Sequence, residues 1–244
     1  MTAKPDMSAD WPDLVQGYDE LLQSWPDLFR NPKDALMRVV TDKRERQAIE
    51  QQLRERQRAK GQPEHWALAG KFYEDAWLMM VRDVVIFAGS EVGTYHRVVL
   101  KDGNDSVVVV PCLGDRFVLI RHSRHAIRSW SLELPRGHVG QGRPVEDAAK
   151  IELSEELGAD VLSFRRLGMV QSDTSLTFNP IHVVRAELKS LGTANRVEGV
   201  ESFRLLTRGD LLPMLASGEI NDVVSVAALS YALFLDAAPA GAAA

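Results

Sequence analysis

The stretch from Glu133 to Gly158, ELPRGHVGQGRPVEDAAKIELSEELG, limits what this chain can be more than any other, because it leaves a strand end, crosses a glycine-rich loop and enters a helix crowded with carboxylates. Glycines at 137, 140 and 142 permit sharp turns and let main-chain groups come close to a ligand. At 3.6 residues per turn, Glu152, Glu155 and Glu156 fall within about a 100° arc, so three like charges that repel one another share one helix face. Such a face is either simply solvated or an oxygen-rich site for Mg²⁺ or Mn²⁺, cations that bind carboxylates, retain waters and bridge to phosphate oxygens.

Around this stretch the pattern alternates between strands and helices. The β-rich runs LMMVRDVVIF, YHRVVL, SVVVVPCL and RFVLIR precede it, with Asp102-Gly103 and Gly114-Asp115 as turn signals. A helix is expected over 145–157, stopped by Gly158, then strands near 162–170, 181–187 and 203–206, and helices over 208–216 and 222–235. The expected fold class is α/β (α+β), a mixed sheet covered by helices, without internal repeats.

Residues 1–70 have a different texture and are expected to form a helical N-terminal extension, with Asn31 as N-cap and Pro32 in the first helical position. The run KRERQAIEQQLRERQRAK fits a solvated helix, a coiled-coil surface or a polyanion arm, and its balancing acids favour the first. The main domain is expected over 77–235 and a disordered tail over 236–244.

A net charge of -5 argues against broad nucleic-acid binding but leaves room for a local basic pocket. The single cysteine, Cys112, lies in an apolar run and reads as a buried structural thiol. With no apolar leader and no long apolar stretch, the cytoplasm is the expected compartment and no membrane association is expected.

The segment ELPRG...AAKIELSEELG resembles the Nudix hydrolase signature: glycine, five residues, glutamate, seven residues, then arginine, glutamate, an apolar residue, any residue, two glutamates, any residue and glycine. Gly137, Glu152, Leu153, Glu155, Glu156 and Gly158 fall on matching positions without a gap. From Trp77 to Leu235 the chain is similar to the ADP-ribose pyrophosphatase branch, through RHSRHAIRSWSLELPRG before the box and GEINDVVSVAALSYAL after it. Two positions depart: Arg143 stands where the signature has glutamate, and Ile151 where it has the arginine thought to orient the next glutamate. Shifting Glu146 into register would break the match at Glu155 and Glu156.

The resemblance implies a Nudix-like α/β/α sandwich with a mixed sheet, and metal-dependent hydrolysis of the pyrophosphate bond of a small nucleoside diphosphate substrate. ADP-ribose or another nucleoside diphosphate sugar would give a nucleoside monophosphate and a sugar phosphate. Glu152, Glu155 and Glu156 are then metal ligands with a carbonyl near Gly137, and a loop acid, Glu198 in preference to Glu201, is the base. Arg121, Arg124 and Arg136 are candidates for phosphate or ribose oxygens, against ordinary surface charge, and Asp173 and Thr174 are candidates for other substrate contacts. His122, His125 and His138 read as ordinary hydrogen-bonding residues, and Trp130 as packing beneath the box. The branch commonly dimerises, so a homodimer is expected. The competing reading is a nucleotide-binding sensor or scaffold without efficient turnover, motivated by Arg143, Ile151 and the unusual extension.

Overall fold

The structure, a computed structural model, describes residues 11–101 and 105–237, so the expected Asp102-Gly103 turn and the tail beyond 237 lie outside the described residues. The chain divides into two compact units, one of Met1–Lys101 with Ser175–Phe178, the other of Asp102–Thr174 with Asn179–Ala244.

The first unit contains helices α1 (Trp11–Ser24) and α2 (Lys43–Ala59) and strands β1 (Met37–Val39), β2 (Gly70–Glu74), β3 (Leu78–Phe87) and β4 (Val92–Leu100). β3 pairs antiparallel with each of the other three strands. This unit is therefore a sheet with helices rather than the helical extension expected over 1–70, and its division from the next unit falls at 101/102 rather than between 70 and 77.

Asn31 and Pro32 do not start a helix. The Asn31 side chain accepts from the Val39 N–H at 2.7 Å and donates to the Val39 carbonyl at 3.0 Å, so it satisfies the backbone of a short strand instead. Helix α2 begins later, where Asp42 accepts from the Glu45 N–H. Arg46, Ile49, Glu50 and Leu53 form its buried stripe at helical spacing, and its remaining charges face solvent.

The second unit contains β5 (Ser106–Leu113), β6 (Arg116–Arg124), β7 (Ser129–Glu133), β8 (Arg136–His138), α3 (Val145–Leu157), β9 (Asp160–Gln171), β10 (Pro180–Ser190), β11 (Val200–Leu206), α4 (Arg208–Ser217) and α5 (Val223–Ala237). The strand order is β11-β6-β5-β10-β9, with β7 paired to β6 and β8 to β5. β5 and β10 run parallel and the other pairs antiparallel, giving the mixed sheet expected.

Alternation along β5 builds two cores. Val107 and Val109 pack with Val145, Ala149, Leu153 and Leu157 of α3, whereas Val108, Val110 and Cys112 pack with Leu211 and Met214 of α4 and with Val224, Ala228 and Leu229 of α5. One helix thus covers one face and two cover the other, the α/β/α layering of the sequence reading. Leu153 is fully buried, and removing such a side chain from water stabilises by about 1.5–3 kcal/mol. Cys112 is buried as expected. Among the described residues no helix is long and apolar enough to cross a membrane.

Candidate active site

Helix α3 is held at both ends, which fixes where its acids point. Pro144 precedes it, and Gly158 closes it at φ 58°, in the left-handed region that favours glycine. In its first turn, Glu146 accepts Arg166 of β9 at 2.6 and 2.8 Å, and that guanidinium holds its carboxyl down at about 2. Glu146 is thereby engaged away from the last turns of the helix.

Glu152 and Glu156, one turn apart, have no such partner. Burial first, then the charges of Glu155 and Glu198, push Glu152 up to about 7. Burial and Glu152 push Glu156 up to about 8, with Glu133 and Glu198 adding and Arg124 opposing. Glu156 is only 4% exposed, and its Oε2 has no hydrogen-bond partner. Glu155 lies on the exposed side of the same face.

Gly137 explains how Glu152 reaches the sheet. It sits on β8 opposite Val107 of β5, and a Cβ there would fall inside the Glu152 carboxylate. Only a glycine leaves that space. Glu152, Gly137, His138, Gly140, Gln141 and Arg143 line one cavity of about 460 Å³.

Glu198 comes from the short 3-10 turn Arg196–Glu198. The loop is anchored to the end of α3: the Gly192 N–H donates to the Leu157 carbonyl and the Asn195 N–H to the Glu156 carbonyl, both at 3.1 Å. Glu198 consequently acts on Glu152, Glu156 and His122 together. Glu201, the other loop candidate, is instead ion-paired with Arg121.

The arginines separate by strand face. His122 and Arg124 follow Val118 and Ile120 onto the α3 side of β6, whereas Arg121 follows Phe117 and Leu119 onto the opposite side. There Arg121 stacks 4.0 Å from the Trp130 ring centroid. Trp130 is 45% exposed rather than packed beneath the loop. Asp173 is exposed on the loop after β9, at the sheet end where β10 begins, and Thr174 beside it is also exposed.

Glu133 is a residue that sequence reasoning missed. Fully buried at the end of β7, it accepts Arg124 through Nε at 2.7 Å and through Nη2, and lies 3.8 Å from Arg136. His122 Nδ1 stands between Glu133 and Glu156, at 3.7 and 3.8 Å, and burial and Arg124 lower its basicity. Asp222 was also missed. It accepts Arg136 at 3.0 Å while its other oxygen accepts from the Ser225 N–H and hydroxyl at the start of α5. An acid on alternate, inward positions of the strand SWSLE was the available signal for Glu133.

The donor set suits a hard divalent cation: a buried and a half-buried carboxylate that repel one another, an orphaned oxygen and a glycine that brings backbone close. Among the described residues no three His, Cys, Asp or Glu side chains already converge to hold a metal ion. Side-chain rotation at the glutamates would have to complete such a set.

Residues 103–237, more than half of the chain, match the NUDIX domain. Among solved structures, the crystal structure of an ADP compounds hydrolase is similar at 21% identity and a TM-score of 0.57, covering 69% of this chain and 91% of that one. No curated protein matches the chain.

Proposed function

The chain belongs to the NUDIX domain family, and from that premise we propose that it hydrolyses the pyrophosphate bond of ADP-ribose or another nucleoside diphosphate sugar in a divalent-metal-dependent reaction. The observation that carries the reading is the half-buried Glu152 beside the buried Glu156, neither of them in an ion pair with a lysine or arginine among the described residues and both coupled to Glu198. A structural acid of this kind is normally paired, as Glu146 is.

Glu152, Glu155 and Glu156, with the main chain at Gly137, would hold Mg²⁺ or Mn²⁺, which supplies neutralisation of phosphate charge and activation of water. Glu198 takes the proton of the attacking water as oxygen bonds to one phosphorus. The bridging P–O bond then breaks, leaving a nucleoside monophosphate and a sugar phosphate. Arg124 and Arg136 are oriented by Glu133 and Asp222, so their remaining N–H groups are fixed donors for phosphate oxygens. Asp173 is proposed to contact the sugar or base from its loop. Arg121 is engaged with Glu201 and Trp130 and has no part in this scheme.

Purified protein with a nucleotide panel, Mg²⁺ or Mn²⁺, and product chromatography tests the proposal. Equal amounts of monophosphate and sugar phosphate are expected; no product with either metal would end it.

Ile151 motivates a second reading, nucleotide binding without efficient turnover, because no arginine stands beside Glu152 on the helix. In that case ligands raise Tm without product formation, and Ile151→Arg raises activity only where orientation of Glu152 is the deficit. We extend the proposal to a cytoplasmic homodimer assembled through the first unit, whose surface exposes Leu36, Trp66 and Trp77. Light scattering that returns a monomer mass would remove the dimer.

A further inference from the structure

Arg143 brings a guanidinium to a loop position where the family signature has a carboxylate, while Ile151 removes the signature's arginine from the helix. The loop backbone is fixed on both sides of Arg143: Gly140 and Gly142 take φ of 74° and 73°, the Arg143 N–H donates to the Gly140 carbonyl at 3.3 Å, and Pro144 follows at once. The guanidinium passes over Gly140, with Cζ and Nη1 3.9 Å from where a Cβ on that glycine would stand.

The side chain lines the same cavity as Glu152 and Gly137, yet among the described residues it makes no ion pair and no side-chain hydrogen bond. Its neighbours in function differ. Arg124 is held by Glu133 and Arg136 by Asp222, so neither cation is wholly available. Arg143 is available, and the Gln141 amide and the His138 ring line the same cavity as further donors. A cavity lined by both a carboxylate and uncommitted donors suits an anion that arrives together with a cation.

We propose that Arg143 binds the diphosphate of the substrate, its planar fork donating to non-bridging oxygens, and that this residue sets the preference for a diphosphate-bearing ligand. The inference rests on the hydrolase reading above for the identity of that ligand. Because the contact is present before and during bond cleavage alike, it acts on KM rather than on kcat.

The test is equilibrium binding of α,β-methylene-ADP with Mg²⁺ to the full chain, by titration calorimetry. Arg143→Ala is expected to raise Kd about tenfold, a scale set by a charge-assisted hydrogen bond in a partly solvated cavity. Arg143→Glu raises it further and Arg143→Lys less. In steady-state assays KM rises in parallel while kcat stays within about threefold. Should the alanine variant lose Tm, the lysine variant, which keeps the charge but not the fork, decides. Equal affinities for wild type and variants overturn the inference, as does a wild type that binds no diphosphate. A wild type that binds through Arg143 but yields no product supports the inference and overturns the hydrolase reading alone.

Discussion

The first and last turns of α3 carry the same residue type in opposite electrostatic settings. Glu146 meets Arg166 and is held down at about 2, whereas Glu156, ten residues on, meets other carboxylates in a buried setting and is pushed up to about 8. A carboxylate that only stabilises the fold is compensated where it stands. One that awaits a cation is left uncompensated, at a cost to the metal-free protein.

The largest break in this contrast should come from Glu156→Gln, which lowers turnover on the order of 10³-fold by removing a charge the reaction needs. The same change should stabilise the metal-free protein at high pH. The folded pKa of Glu156 lies above the ordinary 4.5, so the wild type loses stability as pH rises from about 4.5 to about 8, and the glutamine variant loses less, keeping only the part due to groups such as Glu152, itself pushed up to about 7. Thermal melts at pH 6 and pH 9 with a chelator read the difference directly.

Gly137→Ala comes next. The group in its way is the end of a flexible side chain, so the fold should survive with Tm within roughly 3 °C, while displacement of the Glu152 carboxylate lowers activity about 100-fold. A large drop in Tm with activity intact would contradict the role given to that close approach.

Arg124→Ala leaves the buried Glu133 without its strongest partner, although Arg136 stands 3.8 Å away. A loss of about 2 kcal/mol is expected in denaturant melts, together with a higher KM. The smallest effect belongs to Glu146→Gln, about 0.5 kcal/mol, since its pair with Arg166 is largely solvated. With its folded pKa lowered, this contribution is present above pH 4.5 and fades toward pH 2, and activity at neutral pH stays unchanged.

Much of the second unit was legible because its periodicities are local. The continuous apolar runs of β5 and β6, the Gly158 stop and the span of α3 all follow from neighbours in sequence. The first unit was harder. β1 has three residues and β2 five, too short for a period to show, and Asn31-Pro32 imitates a helix start while serving Val39. The site divides the same way: the glutamate face is a property of one helix, but what pairs with Arg121, Arg124 and Arg136 depends on strand face and on residues up to 86 positions away. Sequence spacing carries no information on such pairings.

The contrast within α3 is tested most directly by calorimetric titration of Mn²⁺ into the metal-free wild type, Glu146→Gln and Glu156→Gln. Saturable binding by the wild type and Glu146→Gln, lost in Glu156→Gln, is the predicted result. Binding that persists in Glu156→Gln, or is absent from the wild type, would contradict the assignment of this face as the metal centre.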